Sequence, residues 1–168
     1  MSPVEHLVVM GVSGAGKTTI AQGIAHALGR PFAEADEFHP EANVQKMSAG
    51  ISLSSEDRMP WLDSIRIWMD EQGAKGLSTV VACSALREVY RERLNAAQGS
   101  VRYVHLTGDR EMIRERMARR NGHFMPASLI DSQFDALEPL GPHEHGVSVG
   151  VEGTQAEIIE NALAAIRS

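Results

Sequence analysis

Short apolar runs and longer stretches of helical spacing alternate from one end of the chain to the other. Apolar runs over 6–10, 77–83 and 101–106 have the length and composition of strands buried on both faces, and the first ends in Gly11. Weaker runs over 31–35 and 147–151 predict two more strands. Between them, 18–28 carries Ile20, Ile24 and Leu28 on one helical face, with Gly29 where a helix stops. Further helices are predicted over 40–49, 55–72, 86–97, 109–120 and 128–137, and from Thr154 to the end. The 55–72 helix has Ser54 or Ser55 as its cap and Pro60 in its first turn, with Trp61, Ile65, Trp68 and Met69 facing the core. The closing helix is capped by Thr154 and buries Ile158, Ile159, Leu163 and Ile166. Strand–helix alternation predicts an α/β fold, a parallel sheet covered by helices on both faces, with its site at the carboxyl ends of the strands.

Composition sharpens this reading. The 168 residues suit a single domain, 1–168, and the net charge of −6 disfavours nucleic acid or an anionic membrane as partner. An anionic substrate would therefore need a local basic pocket. One cysteine, Cys83, excludes an intrachain disulfide and suits a reducing, cytoplasmic setting. No run approaches the roughly 18 apolar residues of a membrane helix, and residues 1–10 are too mixed in polarity for a signal peptide.

The strongest chemical signal follows the first strand. Gly11, Val12, Ser13, Gly14, Ala15, Gly16, Lys17 and Thr18 match Gly-x-x-x-x-Gly-Lys-Thr in full, with Thr19 entering the next helix. Glycines let the backbone curl so that N–H groups converge on phosphate oxygens, and the helix adds its positive end. Lys17, expected to face solvent, supplies charge to the outer phosphates, and the Thr18 hydroxyl can ligate Mg²⁺. A guanine-nucleotide switch would need an Asn-Lys-x-Asp segment, which is absent; Asp70-Glu71-Gln72-Gly73 falls at a predicted helix end. The 77–83 strand ends in Cys83-Ser84, without the metal-organising acid of motor and transporter ATPases. Acids stand instead after the second strand, in Glu34-Ala35-Asp36-Glu37, a position where shikimate kinases, which this segment resembles, carry an Asp-x-Asp pair. Arg116 and Arg120, four apart on one helix face, point to a lid over about 117–130 that brings guanidiniums onto the phosphates, with Gly122 as hinge.

Taken together, the chain resembles the bacterial-type gluconate kinases. The segments that carry the resemblance are the phosphate loop, Ala35-Asp36-Glu37-Phe38-His39-Pro40, Asn43, Lys46-Met47, Asp57-Arg58-Met59-Pro60-Trp61-Leu62, Val81-Ala82-Cys83-Ser84-Ala85-Leu86-Arg87, Tyr90-Arg91, Arg116, Arg120-Asn121-Gly122-His123-Phe124 and Gln133-Phe134. It implies a P-loop kinase fold with a five-stranded parallel sheet and a lid. It also implies transfer of the ATP γ-phosphate to the 6-hydroxyl of D-gluconate with Mg²⁺, in a cytoplasmic homodimer. Lys17, Asp36, Arg116 and Arg120 are the implied catalytic residues, and residues 11–19 with both arginines bind nucleotide. Asp36, His39, Lys46, Arg58, Arg87, Arg91 and His123 are the implied substrate residues, with Thr18 and Glu34 at the metal.

A polyol carboxylate independently demands cations at one end and hydrogen-bonding groups along its length, which His39, Lys46, Arg58, Arg87 and Arg91 can supply. The chain departs from the family pattern at Glu34, where Asp is common, and at Arg87, where Lys is common. Trp61 and Trp68 read as core, Cys83 as a packing residue, and His143 with His145 as too few for a metal site. Kinases of shikimate or another small polyhydroxy acid remain the alternative chemistry. A nucleoside monophosphate kinase lacks a base-reading segment here, and a nucleotide-dependent regulatory module is the alternative outside enzymes.

Overall fold

A computed structural model describes residues 3–119 and 127–168. Strands β1 (Glu5–Met10), β2 (Phe32–Glu34), β3 (Thr79–Ala82), β4 (Ser100–Thr107) and β5 (Gly146–Gly150) form one five-stranded sheet in the order β2-β3-β1-β4-β5. Every pairing is parallel, with Val8 opposite Val81 on one side and Tyr103 on the other. Helices α1 (Lys17–Leu28), α2 (Glu41–Ser48), α3 (Ser55–Ala74), α4 (Glu88–Leu94), α5 (Arg110–Arg119), α6 (Ala127–Ala136) and α7 (Gln155–Arg167) make the crossovers and pack on both faces. The pleat of β1 divides the core. Leu7 and Val9 join α1, α5, α6 and α7 on one face, while Val8 and Met10 join α3 and α4 on the other. Each such fully buried aliphatic side chain contributes about 1.5–3 kcal/mol.

Strand positions follow the apolar pattern closely. Thr154 caps α7, and Ser54, rather than Ser55, caps α3, because Asp57 stands three residues on and returns the bond in a capping box. Pro60 lies deeper than expected, inside α3 rather than in its first turn, and the helix runs on past it to Ala74. α4 is shorter than the 86–97 predicted. Ala85 adopts a left-handed φ of 42° and Arg87 stays extended as the N-cap, so the helix cannot begin before Glu88. Among the described residues no helix is long and apolar enough to cross a membrane.

Candidate active site

The carboxyl ends of β1, β2 and β3 converge on one edge, where the phosphate loop leaves β1. Gly11 sits at φ 148°, and a Cβ there would lie 2.9 Å from the Leu106 carbonyl oxygen, so only glycine lets the loop turn against β4. The Gly11 amide donates to the Ser84 carbonyl at 3.3 Å and ties the loop to the end of β3. Lys17 is half-buried and donates to the Val12 carbonyl at 3.1 Å, which corrects the expectation that it faces solvent. A long, flexible charged side chain folds back on its own loop because a carbonyl within reach satisfies its ammonium.

Thr18 donates its hydroxyl proton to Glu34 Oε2 at 2.7 Å. Burial raises the pKa of the Glu34 carboxyl, against the pull of the Thr18 hydroxyl, and neighbouring Asp36 raises it further. An oxygen pair of hydroxyl and partly buried carboxylate fits a hard divalent cation such as Mg²⁺, whose charge would reverse that penalty. Next comes a 3₁₀ turn, Ala35–Phe38, which the apolar pattern did not reveal. It exposes Asp36 and Glu37 and is pinned from below by Trp61, whose indole N–H donates to the Ala35 carbonyl at 2.6 Å. Trp61 is 3% exposed, a core residue as expected, and His39 stacks on its face at 4.3 Å between ring centroids. Burial lowers the His39 pKa, with Asp36 acting against it and Arg58 with it. Asn43 donates to His39 Nδ1 at 3.2 Å in the tautomer that carries its proton on Nε2.

Beside this turn opens a cleft of about 380 Å³ lined by Ser55, Arg58, Trp61, Ser84, Arg87, Tyr90 and Gln133, among others. Its floor is Tyr90. Arg58 lies 5.5 Å and Arg87 5.8 Å from the centre of that ring, so two cations share one aromatic ring. Arg58 also donates to the Leu53 carbonyl at 3.0 Å and the Tyr90 hydroxyl at 3.2 Å, and Arg87 donates to Ser55 Oγ at 3.3 Å. Burial works against ionising the Tyr90 phenol, yet Ser55 and Arg58 outweigh it and lower its pKa. A second cavity, of about 250 Å³, lies on the other side of the phosphate loop between Gly14, Gly16, Arg116, Gly153, Gln155 and Ile158. Arg116 donates there to the Val151 carbonyl, linking α5 to the loop before α7.

Two of the expected substrate cations are engaged elsewhere. Arg91 is fully buried. It pairs with both carboxylate oxygens of Glu144, at 2.6 and 2.9 Å, and donates to the carbonyls of Ala85 and Glu138. Every arm of its guanidinium is used, so Arg91 braces the turn before Arg87. Lys46 donates to both oxygens of Asp57 at 3.0 Å, joining α2 to the cap of α3, and is not among the residues lining the cleft. The Ser54 amide first, and then Lys46, lower the Asp57 carboxyl to about 2. Thr19 is half-buried in the first turn of α1. Arg120, Gly122 and His123, and with them the central part of the expected lid, lie outside the described residues.

Burial pushes the Cys83 thiol up to about 12, in keeping with a packing role. The charges of Asp36, Lys17 and Glu34 all act on it, which sets the three at the same end of β3. His143 pairs with Glu88 at 2.8 Å beside Glu144, but a cation there would compete with Arg91. Sequence reasoning assigned no role in the site to Ser55, Ser84, Tyr90 or Gln133. Ser84, Tyr90 and Gln133 did stand in the segments of resemblance, the only signal that pointed to them.

Comparison with known proteins agrees with this geometry. The shikimate kinase family model matches residues 13–136. A gluconokinase of Gluconobacter oxydans (strain 621H) is 45% identical, over 94% of this chain and 88% of that protein. The structure of a sugar kinase from Janibacter sp. HTCC2649 superposes with a TM-score of 0.91 at 48% identity, covering 98% of this chain and 95% of the other. That of a gluconokinase from Sinorhizobium meliloti 1021 gives 0.88 at 42% identity, covering 98% and 92%. A shikimate kinase from Aquifex aeolicus, at 15% identity and a TM-score of 0.58, shares the fold.

Proposed function

The chain belongs to the gluconokinase family of P-loop kinases, and we propose that it transfers the γ-phosphoryl group of ATP to the 6-hydroxyl of D-gluconate. The observation that carries this reading is the pair of guanidiniums, Arg58 and Arg87, held on the Tyr90 ring in a cleft beside the phosphate loop. In a protein of net charge −6, this is the local basic pocket that a sugar-acid carboxylate needs. A cleft of about 380 Å³ falls within the usual range for small-molecule sites, and Ser55, Ser84 and Gln133 offer hydrogen bonds along a polyol.

Asp36 orients the acceptor hydroxyl and takes its proton late, as the bond from that oxygen to the γ-phosphorus forms and the bond to the β-phosphate bridge breaks. Lys17 leaves the Val12 carbonyl for the phosphates and, with the loop amides, stabilises the charge that spreads over the transferring group. Thr18 and Glu34 would hold Mg²⁺, which would supply charge neutralisation at the phosphates. The cavity bounded by Arg116, Gly153 and Gln155 receives the nucleotide base. Initial rates with ATP and gluconate, shikimate, glucose and nucleoside monophosphates test the proposal. Gluconate is expected to give the highest kcat/KM and glucose, lacking the carboxylate, at least a hundredfold less. Faster turnover of shikimate would replace the acceptor assignment.

A further inference from the structure

Gln133 stands between the two halves of the site. Its side-chain amide is spent on one residue of the phosphate loop: Oε1 accepts from the Ser13 backbone N–H at 2.6 Å, and Nε2 donates to Ser13 Oγ at 2.9 Å. The same side chain lines the acceptor cleft with Arg58, Arg87 and Tyr90. Gln133 lies on α6, 120 residues along the chain from Ser13, so the contact is made by the tertiary fold and not by the loop itself.

From this bridge we infer that Gln133 is a positioning residue that couples the binding of ATP to the binding of gluconate. The inference rests on the acceptor assignment above. Backbone N–H groups of a phosphate loop are the donors that phosphate oxygens seek, and the Gln133 carbonyl oxygen already holds one of them. An oxygen of the terminal phosphate competes for that N–H as a stronger, charged acceptor. Where the phosphate takes that N–H, the amide of Gln133 is released and reset at the wall of the acceptor cleft. A ligand in the cleft that hydrogen-bonds this amide biases the same competition from the other side. By linkage the two effects are equal: each substrate changes the affinity for the other by one common factor. A glutamine that only filled space would leave that factor untouched.

The test measures gluconate affinity by calorimetry, with and without a non-hydrolysable ATP analogue and Mg²⁺, in the wild type, Gln133→Ala and Gln133→Glu. The wild type is expected to show at least a fivefold difference between the two affinities. In Gln133→Ala the ratio is expected to fall to within about twofold of unity, and kcat to drop about tenfold. Gln133→Glu keeps the shape but sets a carboxylate against the phosphates, and is expected to weaken the ATP analogue more than Gln133→Ala does. A wild-type ratio near unity, or a folded Gln133→Ala that keeps the wild-type ratio, overturns the inference. Should Gln133→Ala not fold, Ser13→Ala removes the Nε2 bond alone and is expected to reduce the ratio; an unchanged ratio there is equally fatal. If turnover identifies a different acid as acceptor, the ratio is measured with that acid, so a wrong acceptor and a wrong role for Gln133 give separable results.

Discussion

From Gly11 to Thr18 the protein presents its phosphate-binding groups in one uninterrupted stretch. The adjoining cleft instead gathers Arg58 from α3, Ser84 from beyond β3, Arg87 and Tyr90 from the cap and body of α4, and Gln133 from α6. In the loop the working groups are mostly backbone amides, so the conformation itself is the binding site. In the cleft they are side chains, and each has to be held by something else: Arg58 by Leu53 and Tyr90, Arg87 by Ser55, and the turn before Arg87 by Arg91. Chemistry that needs only a curled backbone travels as a motif. Chemistry that needs a shaped pocket is distributed, and its supports lie outside the pocket.

Substitutions at the boundary of the two regions test this contrast most severely. Asp36→Asn retains size and one acceptor oxygen but loses charge and basicity, so kcat is expected to fall by roughly two to four orders of magnitude. ATP affinity, measured by titration, should stay near wild type because the loop is untouched. Glu37→Gln is the control, expected to be nearly fully active; a dead Glu37→Gln beside an active Asp36→Asn would move the acceptor acid by one residue.

The support behind the cleft comes next. Arg91→Met leaves the 7%-exposed Glu144 side chain without its cation, a loss expected to cost about 3–5 kcal/mol in denaturant unfolding. Under conditions where the variant is folded, gluconate KM should rise while ATP binding holds, since the Ala85 turn before Arg87 has lost its brace. The Arg91 guanidinium, above all, lowers the Glu144 carboxyl pKa. The stability it contributes is therefore present above the unfolded-state pKa and lost as pH falls through the lowered folded value. Arg91→Met is expected to flatten that acid limb.

Lys17→Ala follows, with kcat reduced roughly 100- to 1000-fold and the circular dichroism spectrum unchanged. Retention of more than about a tenth of wild-type kcat, about 1.4 kcal/mol, would remove the lysine from the charge-stabilising role. The smallest effect is expected at Glu34. Burial raises the pKa of its carboxyl, so the stability of the neutral form is lost as pH climbs through that raised value. Glu34→Gln should therefore melt at or slightly above wild type at neutral pH without metal, by about 1 kcal/mol or less, yet need more Mg²⁺ for half-maximal activity.

These unequal supports explain what could be read from the chain in advance. The strands, the caps at Ser54 and Thr154, and the phosphate loop are written in near neighbours, and all were legible. Trp61 and Cys83 were legible as packing residues because size and apolarity decide burial. Charge alone does not name its partner. Arg91 looked like a substrate cation until Glu144, 53 residues away, was seen to hold it, and Lys46 until Asp57 did. Tyr90 was missed for the same reason, since its value lies in Arg58, 32 residues earlier, and in Arg87 beside it. Asp36 was singled out from its place after β2, although the 3₁₀ turn that exposes it was not foreseen.

The strand order also carries a kinetic consequence. β1 is the first strand made, yet it is the centre of the sheet, and its neighbours β3 and β4 begin at Thr79 and Ser100. A growing chain therefore holds an apolar strand, Leu7 to Met10, with both edges open until β3 has left the ribosome and one edge open until β4 has. His6 must wait for Thr79, 73 residues on, and the Gly11 amide for the Ser84 carbonyl beyond β3. Long-range parallel pairing is slow because loop closure is paid before contacts form. The nucleotide cradle, though encoded ahead of β2 and β3, is thus completed only after the segment beyond β3 has been made, and a nascent chain arrested before β3 would have no competent cradle to offer ATP.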